Sequence, residues 1–135
     1  MKIRAQRRSN DCGVAALASY IGTTYEDAYA AAVVMSKGFV RGQGLSIPDM
    51  MAIAEVFGRP LKKVHWRRVD LDGDSTGILG INWHRSTWRI HGCQGHWVVL
   101  RRGTIIDPSG GACYDAHEYL AINRGRAGTM LSEAD

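Results

Sequence analysis

The chain has 135 residues, 45% of them hydrophobic, and a formal net charge of +4. This length and hydrophobic content suit a compact domain with a real core, and no apolar run is long enough to span a membrane. The excess positive charge lies in short local clusters rather than in one continuous stripe, so we expect solvated basic faces and not a nucleic-acid surface. We also expect no targeting segment.

The first half of the chain has the periodicity of three helices, each preceded by residues that can accept its first free backbone amides. The first helix follows Ser9–Asp11 and ends at Gly22. The second begins with the capping box Thr24–Asp27 and continues through an alanine-rich stretch. The third opens at Ser46 and ends at Gly58, with a proline in its first turn.

The second half of the chain changes to short runs of β-branched and aromatic residues, which predict antiparallel strands. A tight turn at Arg102-Gly103 joins the last two runs, so we expect them to be neighbours in the sheet. Asp115 with Glu118 predicts a short helix through Leu120. The predicted strands cover residues 61–66, 77–83, 96–101 and 103–107.

This order of elements predicts an α+β fold, with N-terminal helices packed on a small antiparallel sheet. We expect one domain over residues 1–123. The glycine, arginine and serine content of residues 124–135 predicts a loose C-terminal tail.

The number of cysteines in the chain is odd, which argues against a disulfide framework and favours a reducing compartment such as the cytoplasm. A zinc site built from Cys93, Cys113, His84 and His91 is disfavoured. The chain has no CxxC pair, and His91 lies only two residues from Cys93. We therefore expect neither a metal nor a cofactor.

Cys12 is the candidate nucleophile. A cysteine attacks a carbonyl carbon only as thiolate, and at its ordinary pKa of about 8.5 only a few per cent is ionised at neutral pH. The first turn of a helix favours the thiolate, because unpaired amides and the helix dipole act on the sulfur there. The alternative is a buried structural thiol, although a simple core cysteine would not need the polar, close-packed setting that Asn10-Asp11 and Gly13 provide.

His96 is the candidate base among the five histidines, because it opens a predicted strand at the sheet edge facing the first helix. Asp107 ends the neighbouring strand and can accept a hydrogen bond from the second ring nitrogen, which fixes the tautomer. Asp107 can also cap the turn that follows it, and the two roles are compatible. Gln6, upstream of Cys12, can donate its side-chain amide to an oxyanion together with the Cys12 backbone amide.

Three motifs carry a resemblance to a known family. They are QRRSNDCGVAAL at residues 6–17, GHWVVL at residues 95–100 and IDP at residues 106–108. Together they resemble the bacteriocin-processing, double-glycine leader peptidases of the papain-like superfamily, over most of the chain. The resemblance implies a papain-like fold and a cysteine peptidase, a hydrolase whose substrate is a peptide or protein cleaved after small residues of the Gly-Gly type.

The resemblance also implies the role of each site residue. Gln6 corresponds to the oxyanion donor of the family and Cys12 to its nucleophile. His96 and Asp107 then complete the catalytic triad.

Two features depart from the family pattern. Its members commonly form the N-terminal domain of a peptide exporter, whereas this chain has no predicted membrane span, so we expect a free-standing version. The tract 82–94 matches no part of the pattern, and we expect it to contribute to the substrate cleft. The expected cleft residues are Trp83, Trp88, Gly95 and Trp97. Stacking of these tryptophans on nucleic-acid bases is the less favoured interpretation.

Two other functions stay open at this point. The chain can be a binding module that uses the same fold to hold a peptide or macromolecule without cleaving it. It can also be a papain-like enzyme that acts on another amide, as cell-wall amidases, deubiquitinase-like enzymes or acyl transferases do.

Overall fold

A computed structural model describes residues 1–4 and 10–134 of the chain. Its helices are α1 (Cys12–Ile21), α2 (Tyr25–Met35), α3 (Lys37–Val40), α4 (Ile47–Val56), α5 (Trp88–His91) and α6 (Ala116–Asn123). Its strands are β1 (Leu61–Val64), β2 (Thr76–Trp83), β3 (Gly95–Arg101), β4 (Thr104–Ile106), β5 (Cys113–Asp115) and β6 (Gly125–Glu133). None of the helices in these ranges has the length and apolarity that a transmembrane span requires.

The predicted starts of three helices are confirmed by their hydrogen bonds. In α2, α4 and α6 the side chains of Thr24, Ser46 and Asp115 accept a bond from the amide three residues further on, at 3.1, 3.2 and 3.0 Å. The start of α1 differs from the expectation. Asp11 precedes this helix but its carboxylate does not cap it. The side chain is instead completely buried and accepts a hydrogen bond from the hydroxyl of Tyr25 on α2.

The described strands form one antiparallel sheet in the order β1-β6-β2-β3-β4-β5, which confirms the α+β class. The predicted hairpin is present, since Arg101 on β3 pairs with Thr104 on β4. Its turn residues Arg102 and Gly103 have φ values of 46° and 81°. A two-residue turn with positive φ at both positions matches the twist of the two strands that it connects.

The prediction of a loose tail at residues 124–135 is wrong for most of this segment. Residues 125–133 form β6, which lies inside the sheet and pairs with β1 on one side and β2 on the other. Met130 and Leu131 of this strand are 3% and 0% exposed. The segment has few apolar residues and glycines that disfavour a strand, but pairing along both edges overrides this weak local preference.

Both faces of the sheet are covered, because successive residues of β2 and β3 point to opposite sides. On one side Ile78 and Val99 pack with α1, α2 and α4 in a first core. On the other side Leu79 and Val98 pack with α6 in a second core. The N-terminal helices therefore cover one face of the sheet, as predicted, and α6 covers the other face.

Leu131 tests whether β6 is an integral part of the fold. We expect Leu131→Ala to lower the free energy of unfolding by about 3 kcal/mol, because the change leaves a cavity beneath a fully buried side chain. Urea unfolding followed by circular dichroism measures this loss. Ser132→Ala, the next residue on the strand and only partly buried, is the control and should change it by less than about 0.5 kcal/mol. Equal stability of the two variants would contradict the strand assignment.

Candidate active site

The N-terminus of α1 meets the beginning of β3, and this contact brings Cys12 to His96. Cys12 is the first residue of α1 and is only partly buried, and His96 is the second residue of β3. Both residues line one cleft, and Cys12 is one of the groups that raise the pKa of His96. Gly13 permits the close approach, since a Cβ atom there would lie 3.0 Å from the Met50 sulfur and 3.2 Å from the Trp97 ring.

A carboxylate occupies the other side of the His96 ring. The Nε2 atom of His96 lies 2.8 Å from Oδ1 of Asp107, the residue that follows β4. Since Nε2 is engaged with Asp107, Nδ1 is the ring nitrogen available to the Cys12 sulfur. Asp107 also organises its own turn, because its Oδ1 accepts the Ser109 amide at 2.9 Å and its carbonyl accepts the Gly111 amide at 2.7 Å.

Tyr119 of α6 is a site residue that the sequence reasoning missed. Its hydroxyl donates to Oδ2 of Asp107 at 2.6 Å, and the side chain is 5% exposed. Both oxygens of Asp107 therefore have a partner, one in β3 and one in α6. The only hint in the sequence was the predicted start of a helix at Asp115, which does not reveal where the helix docks.

Trp83 and Trp88, which we expected in the substrate cleft, lie elsewhere. Trp83 points to the second core and is 7% exposed, with its ring stacked on His96 at 5.9 Å between centroids and on His91 at 3.9 Å. Trp88 packs against the same core and donates its indole N–H to the Trp83 carbonyl at 3.0 Å. Trp83 thus covers the back of the catalytic-site histidine and limits the access of water to that face.

The electrostatics of the pair follow from these contacts. Burial alone would lower the pKa of His96, but its hydrogen bond with Asp107, the neighbouring Cys12 side chain and the negative charge of Asp107 raise this pKa to about 10. Burial alone would raise the pKa of Asp107, but hydrogen bonds from His96 and Tyr119 hold it well below its ordinary range. The pair is therefore an imidazolium beside a carboxylate at neutral pH.

A cleft of about 370 Å³ opens at Cys12 and His96. Gly95 and Trp97 line it, and the Trp97 indole N–H is fixed by the Leu45 carbonyl at 3.0 Å. The sheet contributes an irregular floor, because the register between β2 and β6 shifts between Leu79 and Ile81. Residues of the floor at this point are Gly80, Asn82, Gly128 and Thr129.

Two further expectations concern residues around the site. Gln6 lies outside the described residues. Within residues 1–4 and 10–134 no three His, Cys, Asp or Glu side chains are grouped so as to hold a metal ion. Of the residues weighed for zinc, His84 contacts Ser86 and the exposed Cys93 thiol donates to the Gly95 carbonyl at 3.0 Å.

A partly exposed cysteine at a helix N-terminus, next to an imidazole at the beginning of an interior strand of an antiparallel sheet, defines the papain-like class of cysteine peptidases. The model of the Peptidase C39 family matches residues 1–111. The chain belongs to this family and is a cysteine peptidase. A comparison with curated proteins finds no match. The family match ends before α6 and β6, so Tyr119 and the β6 residues of the cleft floor lie beyond it.

The protonation of His96 can be measured directly. We expect ¹⁵N NMR of the ring nitrogens to give a midpoint near pH 10. Asp107→Asn should lower the midpoint, because burial then opposes the charged ring with less compensation. The pKa of His96 in the folded state is raised above its ordinary value of 6.5, so protonation of this ring stabilises the folded protein. This stabilisation is fully present below pH 6.5 and is lost as the pH rises towards 10. The exposed His117, paired with Asp72, is the internal reference. A midpoint that Asp107→Asn leaves unchanged would contradict the assignment.

Tyr119 should support hydrolysis without touching the substrate. We expect Tyr119→Phe to lower kcat for peptide cleavage by about tenfold, because a hydrogen bond to a charged group contributes about 1.5 kcal/mol or more. KM should change little. Tyr114→Phe is the matched control, since this neighbouring tyrosine is 44% exposed and its ring lies 5.3 Å from that of Tyr119. Equal kcat values for the two variants would show that the Asp107 contact is dispensable.

Proposed function

We propose that this peptidase hydrolyses a peptide bond through a Cys12–His96–Asp107 triad. The observation that carries the proposal is that Cys12 and His96 line one cleft, while the Nε2 atom of His96 lies 2.8 Å from Oδ1 of Asp107. Proximity of this kind lets His96 exchange a proton with the sulfur while Asp107 holds the ring in one orientation. The thiolate is the nucleophilic form of a cysteine, and His96 is placed to take the proton that the sulfur gives up.

The proposed reaction has two stages. The Cys12 thiolate adds to the carbonyl carbon, and the C–N bond then breaks as His96 gives its proton to the leaving amine. A water molecule next loses a proton to His96 and adds to the thioester carbonyl. Breakage of the C–S bond then releases the acid and restores the ion pair. Asp107 keeps its negative charge throughout and stabilises the imidazolium whenever it forms.

The oxyanion formed at each stage needs hydrogen-bond donors. The backbone amide of Cys12 is suited to this role, because the first amides of a helix have no intrahelical acceptor. The side chain of Gln6 is the second donor that we propose, on the basis of its place in the motif upstream of Cys12. Removal of one such donor typically lowers kcat by about 10²-fold or more.

We propose that the residues at the cleavage point are small, of the Gly-Gly type. A Cβ atom at Gly80 would lie 3.0 Å from the Trp97 ring, and one at Gly128 would lie 2.9 Å from the Asn82 amide nitrogen. The Trp97 ring therefore lies close over Gly80 and narrows the cleft at this point, and this wall is held in place by its bond to Leu45. A substrate residue without a bulky side chain suits this narrow part of the cleft.

We place the enzyme in a reducing compartment, the cytoplasm. The nucleophile has to remain a free thiol, and Cys12, Cys93 and Cys113 are all free. Cys93 and Cys113 are also exposed, which oxidising conditions would make a liability.

Cleavage of short peptides tests the proposed function. We expect a peptide with a central Gly-Gly to be cut after the second glycine, and at least about tenfold faster than its Leu-Leu counterpart, as followed by mass spectrometry. Cys12→Ala and His96→Ala should each lower the rate by about 10³-fold or more. Cys113→Ala, which removes an exposed thiol of β5, is the control and should leave the rate unchanged.

Alkylation gives an independent check on the same nucleophile. Iodoacetamide applied below neutral pH should modify Cys12 before the two exposed cysteines, and activity should fall in step with that modification. Substitution of His96 by alanine should remove this selectivity. Cleavage that persists in Cys12→Ala, or labelling without preference for Cys12, would overturn the proposed function.

A further inference from the structure

A second groove, of about 510 Å³, adjoins the cleft at Asn82. Asn82 is exposed and lines both spaces, so a chain that leaves the cleft over this residue enters the groove. The groove runs between the end of β2, the end of α6 and the start of β6. Its remaining lining residues are Trp83, His84, Leu120, Ala121, Arg124, Gly125 and Arg126.

Arg126 stands at the junction of the groove with the cleft. It pairs directly with Asn82 across β2 and β6, so both side chains leave the sheet on the same face. Gly128, in the floor of the cleft, is two residues further along β6, which corresponds to roughly 7 Å. Arg126 is exposed, and its guanidinium is therefore within reach of a peptide that extends past the cleft floor.

Arg124 supplies a second positive charge from a fixed position. It ends α6 with a φ of 53°, in the left-handed region where glycine is the favoured residue. Its guanidinium donates to the Ser86 hydroxyl at 2.9 Å, and its carbonyl accepts the His84 amide at 2.8 Å. These contacts join the arginine to the turn after β2 and leave its other N–H groups for a ligand.

Among the residues that the structure describes, no acidic side chain lines the groove to balance these two arginines. Neither arginine takes part in the ion pairs found among the described residues. Guanidinium groups bind carboxylates through paired N–H donors, with a geometry that favours aspartate and glutamate side chains.

We propose that this groove binds an acidic segment of the peptide substrate, a few residues from the scissile bond. The inference rests on the proposed function, because it takes the chain in the cleft to be a peptide. Continuity with the cleft at Asn82 favours a peptide over a nucleic acid, which would need a longer basic track than two arginines. The two arginines thus add charge selectivity to a cleft that selects small residues.

Quenched fluorescent peptides with a central Gly-Gly test this selectivity. Three glutamate, glutamine or lysine residues are placed before the Gly-Gly in one set and after it in a second set. In one of the two sets we expect the glutamate peptide to have a kcat/KM about fivefold above the glutamine peptide, with lysine the slowest. The advantage should shrink in about 0.5 M NaCl, where charges are screened within a few ångströms.

Reversal of the charge at Arg126 tests whether the groove causes the preference for glutamate peptides. Arg126→Glu should invert the order, so that the lysine peptide becomes the fastest of its set. Arg101→Glu is the matched control, since this exposed arginine lies at the opposite end of β3, where it pairs with Thr76. The control should keep the preference for glutamate. Equal rates for the three peptides in both sets, or the same ratio in Arg126→Glu, would overturn the inference.

Binding to the inactive Cys12→Ala protein separates this inference from the proposed function. Fluorescence anisotropy should show tighter binding of labelled hexaglutamate than of hexaglutamine, and Arg126→Glu should remove the difference. If no peptide is cleaved, the proposed function fails, while this measurement still decides whether the groove holds acidic peptides. Tighter binding of an oligothymidine of about 12 nucleotides, lost in Arg126→Glu, would overturn the inference in favour of a nucleic acid.

Discussion

The partly buried hydrogen bond between His96 and Asp107 sets the requirements that the surrounding structure has to meet. Removal of an ion pair from water costs several kcal/mol per ion, and the cost is recovered only when the remaining polar atoms also find partners. Here the Ser109 amide and the Tyr119 hydroxyl supply them. The indole ring of Trp83 covers the imidazole face. A turn, a helix and a strand are thus all needed to keep one carboxylate ionised.

This requirement explains why the sheet is covered on both faces. His96 lines the cleft with Cys12, but its ring also meets Trp83, which packs in the core on the second side of the sheet. Tyr119 reaches Asp107 only because α6 packs on that second side. The residues matched by the family model end before α6, so the carboxylate depends on a part of the chain that the match does not cover.

How much of this was predictable from sequence depends on the range of the interactions involved. Local signals located α1, α2, α4 and the hairpin of β3 and β4, and the hairpin alone implied that His96 and Asp107 are close. β6 was missed because its pairing with β1 and β2 compensates for a glycine-rich segment. Trp83 was expected in the cleft, and Tyr119 was not predicted as a site residue at all. The positions of both depend on how α6 packs on the sheet, and the spacing of apolar residues in the sequence does not predict this packing. Gln6 stays a prediction, since it lies outside the described residues.

The last two residues of β2 lie next to the cleft and to His96, because the side chains of adjacent residues in a strand point to opposite faces of the sheet. Asn82 points to the side of the cleft floor and lines both the cleft and the basic groove. Trp83, the next residue, points to the other side and packs on His96. One residue of register thus separates the side chain that lines the cleft from the one that packs on His96. A slip of β2 by a single position would exchange these two roles, so the pairing of β2 with β3 and β6 fixes both together.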